Sequence, residues 1–214
     1  MSKPYLAYSR PEVPSWTEAT DRELLLAIAG DDESAFDTLM ARKTPPLMHL
    51  AYRMLGDREE ARDVVQVAFL RVWNHRSRYD RRWSPNTWLY RIATNLAIDQ
   101  LRARRSRQRA SEPMRLHLRR VADARHRGDL GRLGGKEVKG ILEELAGELS
   151  ERQRAVFLLR EVEGLASPEV ARILGCKSST VRNHLFAARR ILRRELVRRY
   201  PEYAARPAKT EETT

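Results

Sequence analysis

Residues 58–73, REEARDVVQVAFLRVW, and residues 84–104, SPNTWLYRIATNLAIDQLRAR, read as two helices, each with two different faces, and the rest of the chain is understood from them. In the first, Ala61, Val64, Val65, Ala68 and Val72 recur at helical spacing as an apolar stripe suited to a core. The other side carries Asp63, Gln66, Val67 and Leu70. An acid, an amide and two aliphatics exposed together suit a docking face for another protein. A helix buried on both sides fits the same periodicity.

The second helix opens at Ser84-Pro85, an N-cap followed by proline at the first helical position, and is expected to reach about Arg104. Leu89, Ile92, Ala93 and Leu96 make its core side, while Trp88, Arg91, Asn95 and Arg102 fall on one line with Asp99 beside them. A ring to stack on bases, guanidinium groups for phosphates and an amide for a base edge suit single-stranded nucleic acid. The competing reading is a core tryptophan beneath a solvated arginine face. Between the helices, residues 74–83 interleave Arg76, Arg78, Arg81 and Arg82 with Tyr79 and Trp83, either a nucleic-acid pocket or an ordinary solvated loop.

The 214 residues allow one large domain or two small ones. Helical periods dominate and no alternating strand pattern persists, so an all-α fold is expected. Forty-one lysines and arginines against 29 acids give a formal charge of +12, which calls for an anionic partner, nucleic acid first and an anionic membrane surface second. No apolar run is long enough to span a bilayer and residues 1–20 lack the core of a secretory signal, so a cytoplasmic protein is expected. The single cysteine, Cys176, excludes an internal disulfide and thiolate metal clusters. The five histidines lack ligand-like spacing, and neither a phosphate-cradling glycine loop nor a nucleophile motif occurs, so neither a metal, a cofactor nor catalysis is expected.

Residues 1–19, with Pro4, Pro11 and Pro14, are expected to be a mobile tail anchored at most by Trp16. Thr20 or Asp21 caps a short helix ended by Gly30-Asp31-Asp32, and Ser34 starts the next, which Pro45-Pro46 must break or bend before Gly56. Residues 20–104 then form one helical domain. Residues 105–137, rich in arginine and glycine, read as a flexible basic linker that either tracks phosphates or merely stays solvated. Residues 138–200 form a second domain and 201–214 a disordered tail.

In the second domain Ile141, Leu142 and Leu145 make a short helix, and Ser150 to Gln153 has the spacing of a capping box. It opens a helix that Gly164 closes in the left-handed conformation. Ser167-Pro168-Glu169 caps another helix, Gly175 stops it, and Ser178 or Ser179 caps a last one running to about Arg199. Ala171 small at a crossing, Gly175 at the turn and Val181 locking the second helix on the first match a helix-turn-helix. Ser179, Thr180, Arg182, Asn183, Phe186 and Ala187 lie nearer the outside, where arginine and asparagine reach guanine and adenine edges. Arg189, Arg190, Arg193 and Arg194 suit phosphates. A helical hairpin with a solvated basic face is the bland alternative.

The segments GDREEARDVVQVAFLRVW, TWLYRIATNLAIDQLR and LSERQRAVFLLREVEGLASPEVARILGCKSSTVRNHLFAARRIL, in this order, resemble the bacterial RNA polymerase sigma factors of the extracytoplasmic-function (ECF) group over residues 21–104 and 138–200. The resemblance implies a factor, not an enzyme, that binds core RNA polymerase and directs initiation at two-part promoters. Asp63, Gln66, Val67 and Leu70 would dock on the beta-prime clamp coiled coil. Trp88 would fall at the strand-opening aromatic, Asn95 at the amide holding a non-template base, and the 79–86 loop, with Tyr79, Arg82, Trp83 and Asn86, would pocket a flipped minus-ten base; Arg91 and Arg102 complete that set. Ser179, Thr180, Arg182, Asn183, Phe186 and Arg190 would read the minus-thirty-five element. Many relatives are held by an anti-sigma protein, a further candidate partner.

Three positions depart from the family pattern. Val67 replaces a common glutamate, Leu89 a second opening aromatic of housekeeping sigma factors, and Ala187 a frequent basic residue. Two other classes compete. A duplex-binding regulator leaves the Trp88 to Arg102 stripe unexplained, and a DNA-processing enzyme needs a nucleophile or metal carboxylates that the chain lacks.

Overall fold

The computed structural model describes residues 16–110, 141 and 144–201. Its elements are α1 (Asp21–Ala29), α2 (Glu33–Leu55), α3 (Arg58–Asn74), a 3-10 turn (Arg76–Arg78), α4 (Pro85–Ala110), α5 (Glu151–Phe157) continued by a π-turn (Leu158–Val162), α6 (Ser167–Leu174) and α7 (Ser178–Arg199). No strand occurs among the described residues, in keeping with the all-α expectation. The expected linker falls largely outside them, as do Val138, Leu142 and most of the final tail.

Capping chemistry sets most of the boundaries. Thr20 accepts from the Glu23 amide while the Glu23 carboxylate takes the Thr20 N–H, a reciprocal box at the head of α1. Ser150 and Gln153 do the same for α5. Three expected caps lie elsewhere. Asp32 rather than Ser34 caps α2, accepting from the Ala35 amide at 2.9 Å, and Ser34 donates to it. Ala166 stands at the N-cap of α6, with the Glu169 carboxylate reaching back to its amide at 3.3 Å. Lys177 precedes α7 and makes no side-chain cap.

The expected break at Pro45-Pro46 does not occur, and α2 runs unbroken across both rings. Leu39 on one side and Leu47 and Leu50 on the other are all buried. Packing against α1 and α3 thus holds the helix where its own hydrogen bonds are missing. Residues 16–19, expected to be mobile, are tied to the same helix. The Trp16 indole donates to Ser34 at 3.0 Å, and Arg42 donates to the carbonyls of Trp16, Thr17 and Ala19.

The first four helices enclose Leu24, Leu25, Ile28, Leu39, Met54, Ala61, Val65, Val72 and Leu89. This apolar cluster continues into the second domain through Val156, Leu159, Val170, Ile173 and Val181. A smaller core of Ile141, Leu145, Leu149, Ala188 and Leu192 lies behind α7. The two halves therefore meet along α4, against which α5 and α6 pack. Polar contacts reinforce the seam. Tyr90 donates to Glu163 at 3.0 Å, Arg91 to the Arg172 carbonyl at 3.1 Å, Arg154 to the Met54 carbonyl at 2.6 Å, and Arg105 pairs with Glu151 at 2.7 Å.

Candidate nucleic-acid and polymerase interfaces

The α3 stripe is buried as its spacing predicts, with Phe69 added to it. Its other face is open, which decides against a helix buried on both sides. Asp63 and Gln66 are exposed, Val67 is 38% exposed and Leu70 60%. Beside them α2 and α3 form an apolar groove of about 580 Å³ lined by Phe36, Met40, Met48, Val65, Phe69 and Leu70. The α2 side of this groove was hidden in the sequence, because Met40 and Met48 sit at core-like spacing and end at its rim.

A second cavity of about 410 Å³ opens where the end of α3, the following loop and α4 converge. Trp83, Trp88, Arg91 and Asn95 line it together. Tyr79 lies behind, its ring 5.2 Å from that of Trp88 and its hydroxyl donating to the Trp83 carbonyl at 3.0 Å. Burial pushes the Tyr79 phenol upward, so it stays a neutral donor. Arg91 stands over the Trp83 ring at 5.0 Å. The Trp88 ring packs on the core, as the competing reading expects, and also faces the cavity.

The remaining residues of that set lie apart. Arg82 is on the rim, clamped by Asp80 through contacts of 2.7 to 3.1 Å. That clamp holds the Asp80 carboxyl below the usual aspartate range, so it stands at the cavity wall as an ionised group already paired with a guanidinium. Asn86 accepts from Lys43 at 2.8 Å and does not line the cavity. Arg102 lies two turns beyond Asn95, paired with Asp99 at 3.8 Å. Arg71 and His75 line the cavity and were missed. Their four-residue spacing at the last turn of α3 was the available signal. Arg78 and Asp80 also line it, the former having been seen only as a loop cation.

In the helix-turn-helix, Gly175 takes φ +62°, which a side chain tolerates poorly, and buried Val181 packs α7 on α6. Ser179, Arg182, Asn183, Phe186 and Arg190 stand exposed on one side of α7, Phe186 at 69%, with Thr180 half-buried. The expected row of phosphate cations is thinned. Arg189 pairs with Glu161 at 2.8 Å, and Arg194 with the buried Glu195 at 3.1 Å.

Comparison with known proteins gives the family. Residues 39–107 match the family described as Sigma-70 region 2, and residues 139–192 match Sigma-70, region 4. The ECF RNA polymerase sigma factor SigE of Mycolicibacterium smegmatis is 32% identical over 200 residues, covering 88% of this chain and 74% of that protein. The chain belongs to the ECF RNA polymerase sigma factors. The ECF sigma-E factor of Escherichia coli K12 is 30% identical over 80% of this chain and 92% of its own length, and SigW of Bacillus subtilis 29% over 77% and 90%. The fold matches CnrH solved in complex with the cytosolic domain of CnrY, at TM-score 0.62 and 23% identity over 84% of this chain and 98% of that one.

As an ECF sigma factor the protein is not an enzyme. It binds core RNA polymerase and promoter DNA and directs promoter-specific initiation. Among the described residues no helix is long and apolar enough to cross a membrane.

Proposed function

We propose that the sigma factor divides this work between two domains, residues 20–104 and 138–200, joined by residues 105–137 between tails at 1–19 and 201–214. The cavity between α3 and α4 takes an unstacked base of the minus-ten element. Trp83 and Trp88 supply ring faces, Asn95 reads the base edge, and Arg71, Arg78 and Arg91 hold the flanking phosphates. Tyr79 braces Trp88, and Asp80 keeps Arg82 at the rim. The observation that carries this reading is the convergence of two tryptophans, an amide and several cations on one pocket.

Arg182, Asn183 and Phe186 meet base edges of the minus-thirty-five element, with Ser179, Thr180 and Arg190 beside them. Asp63, Gln66, Val67 and Leu70 dock on the beta-prime clamp coiled coil, and the neighbouring groove receives an apolar side chain from it. CnrH and the RpoE of Bartonella quintana, which share the fold, were each solved with a bound partner, the cytosolic domain of CnrY and the anti-sigma factor NepR. An anti-sigma protein competing for these faces is the corresponding candidate partner here.

Permanganate footprinting of the reconstituted holoenzyme on a cognate promoter tests the opening role. Asn95→Ala lowers reactivity of the minus-ten thymines while leaving core binding intact. Unchanged reactivity would remove Asn95 from the reading.

A further inference from the structure

Toward the end of α4 a third cavity, of about 400 Å³, lies away from the base pocket, the recognition face of α7 and the α3 docking face. Its walls come from parts of the chain far apart in sequence: Leu55 at the end of α2, Arg104 and Arg105 on α4, and Glu151 and Arg154 on α5. The volume is within the range of about 300 to 1,000 Å³ usual for small-ligand sites, which favour boundaries between domains.

Among the described residues three guanidinium groups and one carboxylate line this space, a surplus of two positive charges. Arg105 pairs with one Glu151 oxygen at 2.7 Å, and Arg104 reaches the Leu55 carbonyl only at a stretched 3.4 Å. Neither has another hydrogen-bond or ion-pair partner among the described residues, and both remain exposed, so a ligand reaches them from solvent. Arg154 is held more firmly, donating to the Ala146 carbonyl at 2.9 Å and the Met54 carbonyl at 2.6 Å, yet it pairs with no carboxylate among the described residues. A guanidinium carries five N–H donors, so donors remain on all three.

The crowding of cations has a measurable sign. Burial, and then the charge of Arg105, hold the Arg154 guanidinium below its usual range, with Glu151 opposing and Arg104 adding to the effect. The carbonyl contacts account for Arg154 as a structural tie, but they leave Arg104 and Arg105 without a comparable task. An anion in the cavity would relieve the repulsion and take up the spare donors. Phosphate suits it best, because its oxygens match the guanidinium fork two at a time, and a group with two phosphates meets two forks.

We propose that this cavity binds a phosphate-bearing anion of charge two or more, gripped by Arg104 and Arg105, with Arg154 adding charge from the wall. Glu151 limits the affinity, since it occupies Arg105 and repels the ligand. The inference is independent of the promoter reading, because none of these residues belongs to the surfaces assigned to either promoter element. A free phosphorylated ion and the backbone of DNA present the same chemistry, and the experiment separates them.

The test is calorimetric titration of the full chain with inorganic pyrophosphate, at constant ionic strength and without divalent metal. The wild type is expected to bind at one site per chain. Arg104→Gln and Arg105→Gln each weaken binding by about tenfold, the loss of one charge-assisted contact. Glu151→Gln tightens it several-fold, because it frees the Arg105 fork and removes the one repelling charge. Arg22→Gln, an exposed cation of α1 outside the cavity, costs the chain the same unit of charge and binds as the wild type does. A thermal melt of each variant checks its fold.

No binding by the wild type at millimolar pyrophosphate overturns the proposal. So does equal weakening in Arg22→Gln, which would place the attraction in the general charge of the chain, and so does weaker binding in a Glu151→Gln variant that melts like the wild type. Displacement of pyrophosphate by a short duplex of random sequence assigns the site to the DNA backbone, and its retention assigns the site to a free anion.

Discussion

Replacing Leu70 with alanine should weaken the hold of this sigma factor on core polymerase without touching its fold. Leu70 is 60% exposed in the free chain and borders the apolar groove between α2 and α3. Full burial of a leucine side chain is worth about 1.5 to 3 kcal/mol, so covering the exposed three-fifths gives about 0.9 to 1.8 kcal/mol. That corresponds to a dissociation constant raised about 5-fold to 20-fold. The measurement is a fluorescence titration of labelled protein with sigma-free core, beside a thermal melt of each variant. Val197→Ala, which trims a half-exposed aliphatic on α7, serves as the control and should change neither. An unchanged dissociation constant for Leu70→Ala with an unchanged melt would show that polymerase docks elsewhere, and the proposed α3 face would have to be abandoned.

Two further outcomes follow from the geometry. Arg182→Ala should relax selection at one base pair of the upstream element at a cost of roughly 1 to 3 kcal/mol, read by competition among single-substitution promoters; equal loss on every sequence would make it a phosphate contact. Acid should loosen the fold in a defined window. The Ala35 amide and then the Ser34 hydroxyl hold Asp32 below its ordinary 3.8, and the Thr20 amide and hydroxyl hold Glu23 below 4.5. Carboxylates depressed on folding give their full stabilisation above those ordinary values and lose it as pH falls through the lower folded ones. The melting temperature should therefore change little through these two groups between pH 7 and about 5.5 and decline below about 4. A decline at low pH identical in Asp32→Asn/Glu23→Gln would place the sensitivity in other groups.

The sequence displayed the functional faces more plainly than the joints between them. Spacing placed Leu70 and Val67 opposite the buried stripe of α3, because the helical period maps onto sides, but it fitted a helix buried on both sides equally well until the structure showed that side open. Trp83, Trp88 and Asn95 were recognisable for their residue types, and the structure adds that they share one cavity. Arg71 and His75 escaped because they complete that cavity from the end of another helix, a relation set by how α3 crosses α4. Asn86 was chosen by position in the loop, and its amide is turned instead toward Lys43 on α2. The Tyr90–Glu163 contact joins positions 73 residues apart and leaves no periodic trace at all. Pro45-Pro46 misled for the opposite reason: local propensity was read correctly and tertiary packing overrode it.

That pair of prolines has a consequence for how the molecule comes into being. Two adjacent rungs are missing from the amide ladder of α2, at about 3 kcal/mol for each interior proline. Each flanking piece, residues 33–44 and 47–55, is at or below the length at which helices persist alone in water. The rod that spans the first domain therefore has no life as an autonomous segment. It is completed only against α1, α3 and α4, all of which pack on it, and its unbroken form records the completion of the surrounding bundle. A nascent chain that has made only α1 and α2 lacks the packing that α3 and α4 give both pieces, Phe36 on Phe69 and Trp73 included, so the backbone of the domain is among the last things in it to become whole.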